Sequence, residues 1–238
     1  MLKEFAEYLV SLKTTNIFEV HGESYSDKQL MRIKPHVAHT QVLHVTGLDS
    51  IVKLVKTELP ELPNVPVFVR VDGPCSVKVL STLDAELDRD ELYAASCDVP
   101  GFCSGFRSYD EAIIELRSRF RPSDDIDYLL DLLSRINKER GITTEDNGVS
   151  QTVEARTGIS LKEMVSIRPR VSLRPFRTFL EVEQPESEFL LRLDNDGNVG
   201  LFEADGGIWK LSAKESILNY LCSALDGEIS DGRVVVMM

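Results

Sequence analysis

The chain has 238 residues, 42% of them hydrophobic and 28% charged, an ordinary globular composition long enough for one large domain or two small ones. A chain of this size buries roughly 70% of its unfolded surface on folding and requires no disulfide staples. Its formal net charge of −12 argues against bulk attraction to nucleic acid or to an anionic membrane.

The first residues, MLKEFAEYLVSLK, place Leu2, Phe5, Leu9 and Leu12 on one face of a short helix over 1–13. They lack the unbroken apolar core of a signal peptide, and no run approaches the ~18 apolar residues of a membrane span. A soluble, cytoplasmic protein is expected. Strand-like stretches come next at Asn16–Val20 and Leu30–Lys34, separated by a polar turn at His21–Asp27, with a further strand at Gln41–Val45. Thr46-Gly47-Leu48-Asp49 opens a helix whose buried side is Ile51, Leu54, Val55 and Leu59, and the prolines of Pro60–Pro66 end it.

Val67–Val71 reads as a strand, the turn Asp72-Gly73-Pro74 closes it, and Cys75–Leu80 returns as its hairpin partner. Leu92–Cys97 is another strand, broken by Pro100-Gly101. Ser108-Tyr109-Asp110-Glu111 matches a capping box and starts a helix carrying Ala112, Ile113, Leu116 and Phe120. After Pro122-Ser123-Asp124-Asp125 a second helix carries Ile126, Leu129, Leu130, Leu133 and Ile136, which makes an αα-hairpin. From Asn147 the pattern is β again, with strands over Val149–Arg156, Met164–Leu173, Thr178–Glu183, Glu188–Leu193, Val199–Glu203 and Ile208–Leu211. Turn chemistry at Gln184-Pro185, Asp194–Asn198 and Asp205-Gly206-Gly207 separates them. A helix over Ala213–Leu225 and a strand over Arg233–Val236 close the chain, and Trp209 reads as a core anchor.

Strands segregated from helices indicate an α+β fold, predominantly antiparallel β-sheet with a central αα-hairpin and a C-terminal helix. Three segments are expected: 1–60, a β-rich and helical piece able to serve as an arm exchanged between subunits; 61–141, strands followed by the αα-hairpin; and 142–238, an antiparallel meander with the C-terminal helix. The last two are compatible with a single domain.

The order of SYDEAIIELRSRF, DYLLDLLSRI, NGVSQTVEARTGI and PFRTFLEVEQPESEFLLRLDNDGNVGLFEADGGIWKL resembles the YfdQ-type proteins of bacteriophages and prophages. The resemblance spans roughly residues 65–225 and lies in order and pattern more than in a motif. It implies a phage or prophage setting and synthesis in the bacterial cytoplasm. It transfers no catalytic residue.

The chain contains no GxSxG, HExxH or phosphate-loop signature, and neither a catalytic residue nor a cofactor is assigned. His36, His39 and His44 crowd one segment, and Cys97 and Cys103 flank a turn that His21 or His44 could complete as a zinc site. Against this, extended backbone points i and i+3 to opposite faces, and zinc pairs are spaced more tightly. Cys75, Cys97 and Cys222 lie in apolar surroundings and read as small buried thiols of a reducing compartment. Asp194, Asp196 and Asn198 resemble half a calcium loop, but Gly200 and Leu201 stand where further oxygen ligands belong, so the segment reads as a hairpin tip. The feature left over is basic: Arg168, Arg170, Arg174 and Arg177, with Arg156 nearby. These arginines pair with Glu181, Glu183, Glu186 and Glu188, contact another copy of the chain, or hold a phosphate. Together these features point to a non-enzymatic protein that acts by self-assembly or macromolecular binding, as a homo-oligomer or on a host or phage protein. The alternatives are a metal- or nucleotide-dependent hydrolase and an acidic inhibitor of a nucleic-acid-binding or defence protein.

Overall fold

A computed structural model describes residues 2–11, 15–21, 23–26, 41–61, 66–84, 87–137, 142–146, 151–157, 161–194 and 198–238. The chain forms two compact units, Met1–His39 and Thr40–Met238. The boundaries expected near residues 60 and 141 both fall inside the second unit.

The first unit holds α1 (Leu2–Ser11), β1 (Ile17–Val20) and β2 (Glu23–Ser26). The strands form an antiparallel hairpin, Ile17 opposite Ser26 and Val20 opposite Glu23. Where β2 forms, the sequence pattern predicts a turn, because ESYS carries a single apolar side chain. The expected strand at Leu30–Lys34 lies outside the described residues. Phe5, Leu9 and Val10 on α1 and Ile17 and Phe18 on β1 are all exposed.

The second unit opens with β3 (Leu43–Thr46), α2 (Leu48–Glu58), β4 (Val67–Gly73), β5 (Ser76–Leu80) and β6 (Glu91–Ser96). The chain then runs through β7 (Gly105–Arg107), α3 (Tyr109–Ser118), α4 (Asp124–Asn137), β8 (Ile142–Asp146), β9 (Gln151–Thr157), β10 (Leu161–Ser166), β11 (Arg170–Leu173), β12 (Ser187–Leu193) and β13 (Val199–Glu203). It ends with α5 (Trp209–Ala224), α6 (Asp226–Ser230) and β14 (Val234–Met237). The fold is α+β, in agreement with the segregation of strands from helices in the sequence.

One sheet has the order β14-β4-β5-β6-β3. The meander β4–β5–β6 is antiparallel, while β14 joins β4 and β3 joins β6 in parallel. Alternation along the strands sends Val67, Val69, Val71, Val77 and Val79 to one face. There they pack on Ile51 and Val55 of α2 and on Ile217 and Leu221 of α5. Parallel neighbours require crossover connections. α2 carries the chain from β3 to β4, and α5 brings it back to β14. Two phenols tie these helices down. Tyr93 of β6 donates to Glu58 of α2, and Tyr220 of α5 donates to Asp49 of α2. Burial, together with hydrogen bonding to Asp49, pushes the Tyr220 phenol up to about 12.

The second sheet, β11-β12-β13-β7, is antiparallel throughout. Its inner face (Val171, Leu173, Phe189, Leu191, Val199 and Leu201) is covered by Leu116 of α3, by Ile126, Leu129 and Leu133 of α4, and by Phe120 between the helices. Ser108 opens α3 as the capping motif predicts, its N–H donating to the Glu111 carboxylate at 3.1 Å. On the outer face Gly200 is required by close approach, since a Cβ there would lie 2.6 Å from the Phe202 ring. Strands β8, β9 and β10 form a third, antiparallel sheet. Neither β7 nor β8 is among the strands expected from the sequence.

Three further expectations change. The strand expected over Met164–Leu173 is two strands, broken at Ile167–Pro169 where proline withholds an N–H. Thr178–Glu183 is irregular, and Ile208–Leu211 enters α5. Among the described residues no helix is long and apolar enough to cross a membrane.

Phe189 is fully buried and meets Phe102 and Phe120 edge-to-face, with centroids at 5.2 and 6.3 Å. Phe189→Ala is expected to destabilise the second unit by about 3–5 kcal/mol, measured as a fall in the urea midpoint.

Candidate functional site

The segment 97–208 is inserted between β6 and α5, so two hydrophobic cores lie in one unit, and the chain crosses between them four times because Phe179 and Val182 of the insertion return to the first core. Of the residues singled out in the sequence, Arg174, Arg177 and Cys97 lie at this passage. Its centre is the loop after β11, and Gln184 organises it. This side chain is 1% exposed. Its Oε1 accepts from the Arg177 and Thr178 N–H groups at 2.9 and 3.2 Å, and its Nε2 donates to the Phe179 carbonyl at 3.0 Å. An amide with both donors and acceptors can stand in for a missing sheet partner. The loop's backbone is therefore satisfied without a ladder, and Phe179 and Val182 enter the first core. Glu181, beside them, reaches α2: its Oε1 accepts from the Leu48 N–H at 2.7 Å. A carboxylate at a helix N-terminus is favourable. The close fit requires glycine at position 47, where φ is +85° and a Cβ would lie 2.5 Å from Glu181 Oε1.

The four arginines separate into exposed and buried. Arg168 pairs with Asp125 at 3.3 Å and lies over the Tyr128 ring. Arg170 pairs with Glu188 at 3.0 Å. Arg174 bridges Glu183 at 2.6 Å and Glu186 at 2.9 Å. The hydrogen bond with Glu186, ahead of the surrounding charges, raises its affinity for its proton. Arg177 is 5% exposed. It pairs with Glu203 at 2.8 Å, donates to the Pro185 carbonyl and to Ser187, and stacks 4.0 Å above the Trp209 ring. Burial, the dominant influence, pushes its guanidinium down to about 10 against the opposing pull of Glu203 and Asp205. Trp209 is thus the half-buried floor of this cation rather than the core anchor expected. Arg177 Nε and Trp209 Nε1 have no hydrogen-bond partner among the described residues.

Asp205 continues the network. It accepts from Ser187 Oγ and from the Gly207 N–H in the turn just ahead of α5. Burial pushes its carboxyl upward, and the hydrogen bonds with the Arg177 charge outweigh that, so it ionises below its ordinary range.

Two open clefts adjoin the passage. One, about 390 Å³, lies between Arg121, Ser123, Ser172, Arg174, Glu183 and Glu186. Arg121 covers the Phe176 ring at 5.4 Å and has no carboxylate partner among the described residues. The other, about 260 Å³, is lined by Gly47, Cys97, Asp98, Phe179, Leu180 and Glu181.

The metal candidates do not converge. Cys97 is joined to Cys75 by a disulfide, with Cα atoms 4.9 Å apart, which removes it as a ligand and corrects the reading of both as free thiols. Cys103 is free and exposed. His44 is exposed on β3, and His36 and His39 lie outside the described residues. Among the described residues no group of three or more histidine, cysteine or carboxylate side chains is placed to hold a metal. The calcium-like Asp194 instead accepts from the Asn198 N–H at 2.8 Å across the hairpin tip, whose residues 195–197 lie outside the description.

Sequence pattern does not reveal Gln184, Glu181 or the disulfide. Ser76 faces Ser96 across β5 and β6, so the next positions outward, 75 and 97, face each other as well. That signal exists only once the register is known. No family model, no curated protein and no solved structure matches this chain.

Gln184→Ala leaves two buried N–H groups without acceptors and is expected to cost roughly 1–3 kcal/mol, read from denaturant unfolding. Because the folded Asp205 holds its proton less tightly than the unfolded one, its contribution is complete above the ordinary carboxylate range. It is lost as pH falls through the lower, folded value. Asp205→Asn is therefore expected to flatten the acid limb of a Tm-against-pH curve.

Proposed function

We propose that this protein works without catalysis, by associating with further copies of itself, in a bacteriophage or prophage setting. The setting rests on the resemblance of residues 65–225 to the YfdQ-type proteins. The self-association rests on one observation, the exposure of Phe5, Leu9, Val10, Ile17 and Phe18 in the first unit. An isolated ten-residue helix is marginal in water, and so is a two-stranded hairpin. Both become stable when their apolar side chains enter a larger core. A second copy of the same arm offers such side chains in a self-complementary pair, the arrangement of a two-fold interface.

Charge supports an apolar interface. Residues 1–39 carry five Lys or Arg and five Asp or Glu, so the whole net charge of −12 falls on 40–238. The neutral arm is the part of the chain that meets its copy with the least repulsion. Arg168, Arg170, Arg174 and Arg177 already pair with carboxylates of their own chain, which leaves the arm rather than the arginines as the contact.

Light scattering after size exclusion tests this reading. The expected mass is a multiple of 26.7 kDa that persists in about 0.5 M salt, where charge-based contacts are screened. The double substitution Phe5→Ser and Leu9→Ser is expected to return the protein to a monomer with an unchanged circular dichroism spectrum. A wild-type monomer at every concentration overturns the proposal.

A further inference from the structure

We propose that the Cys75–Cys97 disulfide is a reversible redox-modification site, opened by a small neutral or cationic thiol that enters the cleft beside Cys97. The bond sits where the chain leaves the first sheet for the insertion, between the end of β6 and the turn before β5. It is not sealed in a core, since both cysteines are half-buried and Cys97 forms part of the wall of the open 260 Å³ cleft. Access of this kind separates labile disulfides from inert structural ones.

The charges of the cleft choose the reductant. Asp98 and Glu181 line it, and an incoming thiolate that carries a further carboxylate meets both. A thiol bearing an ammonium group offsets the charge of its own thiolate, and a neutral dithiol meets the carboxylates with its thiolate charge alone.

The chemistry is thiol–disulfide exchange. The reductant's thiolate attacks Cys97 Sγ and the Cys75–Cys97 bond breaks. Cys75 leaves as a thiolate and takes up a proton. A second thiol of the reductant then attacks its own sulfur in the mixed disulfide and releases Cys97 as a thiol. Two electrons and two protons pass to the protein, and the reductant departs as a disulfide. Oxidised reductant reverses the sequence.

The fold has a hydrogen-bond acceptor in place for the reduced form. Cys75 Sγ lies 3.4 Å from the Arg177 carbonyl oxygen, a ready acceptor for the new S–H. The Cys97 N–H still donates to the Cys75 carbonyl at 3.3 Å, which holds the two thiols in register for re-formation. What loosens is the tether between the β4–β5 turn and the entry to the insertion. Thr178 Oγ1, which donates to the Pro74 carbonyl, continues to join the β4–β5 turn to the loop after β11.

The test uses the full chain in native buffer with alkylation of free thiols and mass spectrometry. Without reductant, Cys103 is expected to label while Cys75 and Cys97 do not. Dithiothreitol is expected to expose both to labelling with the circular dichroism spectrum unchanged. At low salt cysteamine is expected to open the bond about fivefold or more faster per thiolate than glutathione, with the two rates converging in about 1 M salt. Asp98→Asn is expected to speed glutathione selectively. Three results overturn the proposal: labelling of Cys75 and Cys97 without reductant, reduction only after denaturation, or equal rates for cysteamine and glutathione at low salt. None of these outcomes depends on the mass of the particle, so the site and the self-association stand or fall separately.

Discussion

The second unit depends on one buried amide. Gln184 takes over the hydrogen bonding of a loop that has no strand beside it, and this lets the chain run between two cores. Buried backbone groups without partners are expensive. A loop entering a core therefore needs a side chain with both donors and acceptors, and glutamine supplies both without charge. With the amide in place, Phe179 and Val182 fill the first core. Arg177 meanwhile turns toward Glu203, Ser187 and Trp209 on the side of the second. Glu181 extends the same loop to the start of α2. One short loop and its glutamine thus bind together helices and sheets that are far apart in sequence.

Electrostatics follow from that arrangement. The basic cluster is not a free patch, because each of its four arginines has a carboxylate within reach. The exposed pairs contribute little to stability, each on the order of 0–1 kcal/mol. Arg177 differs because it is desolvated. Removing one partner of a buried pair costs more than the pair is worth intact. Its role is therefore to specify how the insertion seats on α5, through Asp205 and Trp209, more than to add stability.

Much of the fold is legible in the residues. The 3.6-residue period marks α2, α3, α4 and α5, the Ser108–Glu111 motif marks a helix start, and Asp72-Gly73-Pro74 marks the β4–β5 hairpin. Elsewhere long-range contacts override local pattern. Thr178–Glu183 alternates like a strand, yet its partner is a side chain rather than a neighbour. Ile208–Leu211 is apolar enough for a strand, yet the Ile208, Lys210 and Leu211 N–H groups bond back to the Asp205, Gly207 and Ile208 carbonyls and wind the segment into a helix. The break at Ile167–Pro169 has a local signal, the proline, which the apolar pattern outweighs. Of the site, the arginines are visible as composition. The disulfide is not, because pairing of positions 75 and 97 depends on a register between β5 and β6 that periodicity does not carry.

The insertion of 97–208 between β6 and α5 also orders events in time. During synthesis β3, α2, β4, β5 and β6 emerge first, but their sheet lacks β14 and half of its helical cover until α5 is made. At about 5–20 residues per second, the inserted segment separates these events by roughly 6–22 s. Through that interval the Val67–Val71 face is open on the side α5 will cover, and by its end the inserted lobe has all of its own strands and helices. The lobe that comes second in the chain is thus the first able to complete its core on the ribosome, and the first sheet is the part most in need of protection from aggregation while it waits.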